Sequence, residues 1–166
     1  FVSELEGTSH PLGVRDIAEE VAQRGHAWSA EVLTQERCPA DRRVADALQL
    51  RLRQNVFHVR LVHREDGVPI QLEDRFVVMD FAPEFVEQDF TEQTPSAYLS
   101  AISPLQDAEH VVRAEIPIGA VREALAMSAH EPCLVITRRT WSDGRPVTFG
   151  RLNHPGARFE LSGRFN

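Results

Sequence analysis

Residues 56–78, VFHVRLVHREDGVPIQLEDRFVV, hold two runs of alternating side chains, rich in Val, Phe and Leu, that meet at Asp66-Gly67. Asp-Gly is the preferred pair for a two-residue hairpin loop, because both central residues of a type I′ turn need positive φ. The stretch therefore demands an antiparallel pair. Such a pair is not stable alone, so it also demands further strands or helices to cover a face. With a simple two-residue turn, the expected register opposes Leu61 to Leu72, His63 to Ile70, Phe57 to Phe76 and Arg60 to Glu73. One face then carries Phe57, Val59, Leu61, Ile70, Leu72 and Phe76, interrupted by His63 and Asp74. The other carries His58, Arg60, Val62, Gln71, Glu73 and Arg75. A one-residue slip would exchange the faces, and a bulge near Gly67 is the local feature able to produce one.

The rest of the chain supplies the partners. Val14, Ile17, Val21 and Ala22 recur at helical spacing before Gly25, which is placed as a C-terminal stop. AWSAEVLTQERC alternates as a strand, and ADRRVADALQL, opened by Pro39 and Asp41, is a short amphipathic helix. FAPEFVEQDF and TPSAYLSAI read as helical pieces, the second with Thr94 as N-cap and Pro95 in the first helical position. AEHVVRAEIPI returns to strand, and GAVREALAMS is helical. PCLVITRRTWSDGRPVTFGRLNHP is a second hairpin, turning at Ser142-Asp143-Gly144. About six strands joined by hairpins and helices predict an α+β domain on a mostly antiparallel sheet with flanking helices. Residues 1–12 have no period and read as a connector, leaving 13–166 as the domain.

Charge and cysteine content narrow the function classes. The 166 residues carry 18 basic side chains against 25 acidic ones, and a net charge of −7 argues against direct contact with nucleic acid. Cys38 and Cys133 form no CxxC pair, and reduced thiols in a cytoplasmic protein are expected. No run of 18 apolar residues points to a membrane. Seven histidines invite a metal, yet none are spaced HxH or HxxxH, so neither a metal site nor a cofactor is expected. No GxSxG motif or phosphate-binding glycine loop announces catalysis.

The polar side chains of the first hairpin have two readings. They can be a solvated sheet face, with Arg60 and Glu73 as a cross-strand ion pair contributing roughly 0.2 to 1 kcal/mol. Pattern alone favours that reading over the alternative of a pocket floor, where Arg60 or Arg75 holds a carboxylate and Glu73 a cationic or N–H-bearing group. His63 is either a core histidine bonded to backbone or a ligand contact.

The succession of DGVPI, LED running into an aromatic, SAYL and RLNHPGARF resembles the effector-binding (UTRA) domain of GntR-type transcription regulators over essentially the whole chain. VFHVRLVHREDGVPIQLEDRFV, DFTEQTPSAYL, EPCLVITRRTW and LNHPGARFEL are more closely similar to the histidine-utilization branch of that family. The resemblance implies a chorismate lyase-like fold, a small-molecule pocket over the sheet, no catalysis, and a homodimer that reaches DNA only through a winged-helix domain preceding residues 1–12. It implies urocanate, or a related imidazole carboxylate, as inducer. The family's pocket glutamate matches Glu73, its Ser-x-Tyr helix start matches Ser96 and Tyr98, and His154 replaces a tyrosine. Sugar-phosphate members carry Arg-x-Arg where Leu61 and His63 stand here.

On that basis Glu73 and His63, with Tyr98, are expected around the imidazole. Arg60, Arg75 or Arg151 is expected at the carboxylate, with Ser96 and main-chain N–H groups near Trp28 in support, and His154 at either end. A Glu73→Gln, His63→Ala double variant would then lose urocanate with little change in melting temperature. A chorismate-lyase-like enzyme and a sugar-phosphate sensor are the alternatives. The simple register leaves one conflict, since it puts His63 and Glu73 on opposite faces.

Overall fold

Six strands form one antiparallel sheet in the order β1-β2-β3-β6-β5-β4 in the computed structural model, which describes residues 16–103 and 107–162. They are β1 (Trp28–Pro39), β2 (Asn55–Glu65), β3 (Val68–Val77), β4 (Asp107–Glu115), β5 (Cys133–Ser142) and β6 (Arg145–Pro155). The two expected hairpins, β2–β3 and β5–β6, join through their second strands, so β3 and β6 lie at the centre. Among the described residues four helices accompany them: α1 (Ile17–Gln23), α2 (Arg42–Leu48), α3 (Pro95–Ile102) and α4 (Gly119–Ala124). The connector expected over residues 1–12 lies outside the described residues.

Local chemistry sets the helix ends. Asp41 accepts a hydrogen bond from the Val44 N–H, and Thr94 from the Ala97 N–H, each satisfying a donor left open in a first turn. Gly25, at φ 78°, follows α1 in the left-handed conformation that a glycine adopts without a Cβ clash. One expected helix is absent. Of residues 81–90 only Phe85–Glu87 makes a 3-10 turn. Phe85 and Phe90 are both fully buried, with ring centroids 4.9 Å apart. Residues five apart in an α-helix diverge by about 140°, so an irregular path is what lets both rings enter one core.

The simple register of the first hairpin is wrong by one residue. Asp66 and Gly67 turn at φ 48° and 80° as expected, and Glu65 and Arg64 pair with Val68 and Pro69. Ile70 is then skipped, and His63 pairs with Gln71, Leu61 with Glu73, Arg60 with Asp74 and Phe57 with Val77. Pro69 falls in the second pair from the turn, opposite Arg64, where alternation of the antiparallel ladder leaves its missing N–H unneeded. The second hairpin repeats the device. Asp143 and Gly144 turn at φ 51° and 75°, Trp141 pairs with Pro146, and Val147 is skipped before Thr140 meets Thr148. An Asp-Gly-x-Pro turn followed by a bulge thus occurs in both hairpins.

The sheet is covered unevenly. On one face α2 packs on Val56, Phe76 and Phe149, and α4 with Leu125 packs near Val62, Leu72 and Val135. On the other, Phe85, Phe90 and Leu99 cover Phe57, Val59, Leu61 and Val77 at the β2–β3 half. The polar cluster described next shares this second face.

Candidate functional site

The bulge at Ile70 places His63, Gln71, Glu73 and Arg75 on one face, which removes the conflict left by the simple register. All four are buried there, with His63 0% and Glu73 2% exposed. The Trp28 indole N–H donates to His63 Nδ1 at 3.0 Å. That contact makes Nδ1 an acceptor, so the proton is on Nε2, which donates to Glu73 Oε1 at 2.7 Å. Arg75 Nε and Nη2 each lie 2.8 Å from Glu73 Oε2, and Nη2 also donates to Ser96 Oγ at 3.1 Å, at the start of α3. Burial alone would raise the Glu73 pKa, but the Arg75 charge and the His63 hydrogen bond outweigh it and hold the carboxyl at about 2. Glu73 is therefore a buried carboxylate anchored on both oxygens.

Positive charge accumulates next to it. Across the sheet Arg75 is level with Gly150, Gly150 with Arg138, and Arg138 with His110. A Cβ at Gly150 would stand 3.3 Å from Arg75 Nε, so the glycine leaves room for the guanidinium to lie over β6. Arg138 Nε and His110 Nε2 are buried and find no hydrogen-bond partner among the described residues. Burial and the neighbouring Arg75 push Arg138 down to about 10, against the pull of Glu73. Burial, Arg138 and Arg75 push His110 down to about 4, so it is neutral at pH 7. Two guanidiniums against one carboxylate leave a surplus positive charge, an open Arg138 donor and an unpartnered imidazole nitrogen on one side of the cluster, an arrangement suited to an anion.

The other flank is neutral. The Gln71 amide donates to His154 Nε2 at 2.9 Å, His154 Nδ1–H donates to the Leu134 carbonyl at 3.0 Å, and the ring stacks on Phe159 at 3.8 Å. Burial, reinforced by His63 and partly opposed by the Leu134 bond, pushes His154 down to about 4. A histidine near 6.5 when unfolded protonates first in the unfolded chain, so its contribution is complete above pH 6.5 and declines as pH falls towards 4. Urea unfolding from pH 7 to 4 is expected to show a fall in stability, to which His154 contributes on the order of 3 kcal/mol. A His154→Gln variant should show a shallower fall; an identical slope would contradict this assignment.

Of the residues singled out in the sequence, the fold brings Trp28, His63, Glu73, Arg75 and Ser96 into one network and sets His154 on the same face. Trp28 takes part through its indole rather than nearby main chain. Tyr98 packs instead on Phe85 and Phe90, with centroids 6.1 and 6.4 Å away. Arg60 and Arg151 stand on the opposite face, beside Asp74 and Glu115 respectively, Arg60 because the corrected register turns it away from Glu73 and Arg151 because it pairs with Asp74 across β3–β6. Gln71, Arg138, His110 and Gly150 were not anticipated. Arg138 was within reach of sequence reasoning, since a bulge after Pro146 like the one after Pro69 brings it level with Gly150.

The family profile described as UTRA domain matches residues 23–160. The chain belongs to the UTRA domain family. Over 166 residues this UTRA domain is 48% identical to the histidine utilization repressor of Pseudomonas putida, covering all of this chain and 67% of that protein. The crystal structure of the C-terminal domain of the histidine utilization repressor from Pseudomonas syringae pv. tomato superposes with a TM-score of 0.81 at 47% identity, covering 84% of this chain and 99% of that one. The effector domain of PhnF from Mycobacterium smegmatis shares the fold, with a TM-score of 0.80 at 17% identity over 90% of this chain and 93% of that one. The named relatives are repressors and the solved neighbours include GntR-family transcription regulators, not enzymes. Among the described residues no helix is long and apolar enough to cross a membrane.

Proposed function

We propose that this UTRA domain is the sensing part of a repressor of histidine catabolism and that its inducer is urocanate. The observation that carries the reading is the surplus cationic edge of the buried network, where Arg138 Nε and His110 Nε2 lack partners among the described residues. Urocanate is flat, with a carboxylate at one end and an imidazole at the other. The carboxylate is assigned to Arg138 and His110 beside Arg75, where it would accept a charge-assisted hydrogen bond from Arg138 and one from the His110 Nε2–H tautomer. The ring is assigned to the space over Leu152 and Ile136, which follow Glu73 across the sheet. There Glu73 can accept a ring N–H, and His63, bonded at both nitrogens, holds Glu73 in place rather than touching ligand. From the row of Arg138 to that of Leu134 and His154 is four residues of strand, about 13 Å, enough for the ligand's length.

The names of the relatives support the histidine-linked ligand, and Leu61 and His63 in place of two arginines weigh against a sugar phosphate. DNA contact is assigned to a winged-helix domain ahead of this chain, in keeping with the chain's covering about two thirds of its relatives. Binding would act by favouring one arrangement of a dimer, and only by as much as the ligand's affinities for the two arrangements differ. Titration calorimetry is expected to give one urocanate per domain, with weaker binding of imidazolepropionate, histidine and glucosamine 6-phosphate. Absence of heat with every imidazole ligand would overturn the assignment.

A further inference from the structure

A second cluster lies on the opposite face, at the outer β1–β2 pair. One ligand atom each from Glu36, Cys38 and His58 lie within 4.8 Å of one another. The strand geometry explains the convergence. Glu36 and Cys38 are two apart on β1 and so share a face, while the register sets Glu36 opposite His58 and Cys38 opposite Val56, one step along. His58 is held in two ways. Its ring stacks on Phe76 at 4.3 Å and 5°, and its Nε2 lies 2.8 Å from Asp74 Oδ1. With Nε2–H given to a carboxylate, Nδ1 is the nitrogen left with a lone pair, the arrangement by which an outer carboxylate orients a metal-binding histidine.

We propose that Glu36, Cys38 and His58 form a zinc site, binding through carboxylate, thiolate and Nδ1, with Asp74 positioning the imidazole. Thiolate, imidazole and carboxylate together suit zinc better than calcium or magnesium, which take oxygen ligands. Tetrahedral zinc bonds would set the ligand atoms about 3.3 to 3.8 Å apart. From separations of up to 4.8 Å the ligand atoms need contract by about 1 to 1.5 Å, which rotation of the exposed Glu36 side chain can supply. Glu36, Asp41 and Asp74 give the site an acidic surround, with Arg60 the nearby counter-charge at 3.5 Å from Asp74. The HxH and HxxxH spacings looked for in the sequence miss such a site, because its ligands come from two strands paired edge to edge.

Cobalt(II), a spectroscopic stand-in for zinc, tests the site in the reduced 166-residue protein. One equivalent is expected to produce a thiolate-to-cobalt charge-transfer band in the near ultraviolet that zinc abolishes. The band should vanish in Cys38→Ser and persist in Cys133→Ser. Asp74→Asn should keep the band but weaken the affinity roughly tenfold or more. Zinc should raise the melting temperature of the wild type and not of Cys38→Ser. No band with the wild type, or a band that survives Cys38→Ser, overturns the proposal. An unchanged affinity in Asp74→Asn overturns the positioning role.

Discussion

Replacing Glu73 by alanine is expected to destabilise the domain by about 3 to 5 kcal/mol, the range for removing one partner from a buried ion pair. The substitution strands two groups at once. Arg75 loses its counter-charge and the acceptor of its Nε, keeping only the Nη2 bond to Ser96 Oγ, and the His63 Nε2–H loses its only partner among the described residues. Neither can turn to water, since Arg75 is 3% and His63 0% exposed. At about 2 to 4 °C per kcal/mol for a domain of this size, the melting temperature should fall by roughly 10 °C. The wild type should also show an acid arm of its own. The folded carboxyl sits at about 2 against 4.5 when free, so its contribution is complete above pH 4.5 and is lost as pH falls towards 2. A Glu73→Ala variant as stable as the wild type would contradict the network. This burial also revises the expectation for the Glu73→Gln, His63→Ala double variant: it should lose stability as well as ligand.

Arg138→Met is expected to do the opposite. Its Nε is buried without a partner among the described residues, and burial together with Arg75 already lowers its pKa to about 10. Replacing a poorly satisfied buried cation by an apolar side chain of similar length is commonly neutral or stabilising, so the melting temperature should hold or rise. Urocanate binding should weaken by about 10- to 150-fold, the equivalent of about 1.5 to 3 kcal/mol for a hydrogen bond to a charged group. Thermal unfolding and calorimetry on the same preparation separate the two effects. Unchanged urocanate affinity would remove Arg138 from the carboxylate site, and a large loss of stability would show it to be structural. The pair of variants thus distinguishes a residue that supports the cluster from one that faces the ligand.

Much of the fold is legible in local chemistry. Asp66-Gly67 and Asp143-Gly144 announce their turns because the backbone there needs positive φ. Thr94-Pro95 announces α3, and Asp41 caps α2, because a first turn has open N–H groups. The segment 81–90 misleads, because its helical composition yields to the burial of Phe85 and Phe90 in one place. Within the site, Glu73, His63, Ser96 and Trp28 can be named from the sequence through family resemblance, but their hydrogen-bond partners cannot.

By itself, then, the sequence determined where the two hairpins turn and where the capped helices begin, since each of these depends on residues within a few positions of one another. Which side chains meet was decided only by tertiary structure. One skipped residue at Ile70 moves Glu73 and Arg75 to the face of His63 and leaves Arg60 behind with Asp74. Pairing across β6 and β5 then sets Arg138 and His110 beside Arg75. The physical reason is the two-residue period of a strand: a single bulge inverts every side chain beyond it, and alternating composition cannot report an inversion when both faces carry charged and apolar residues.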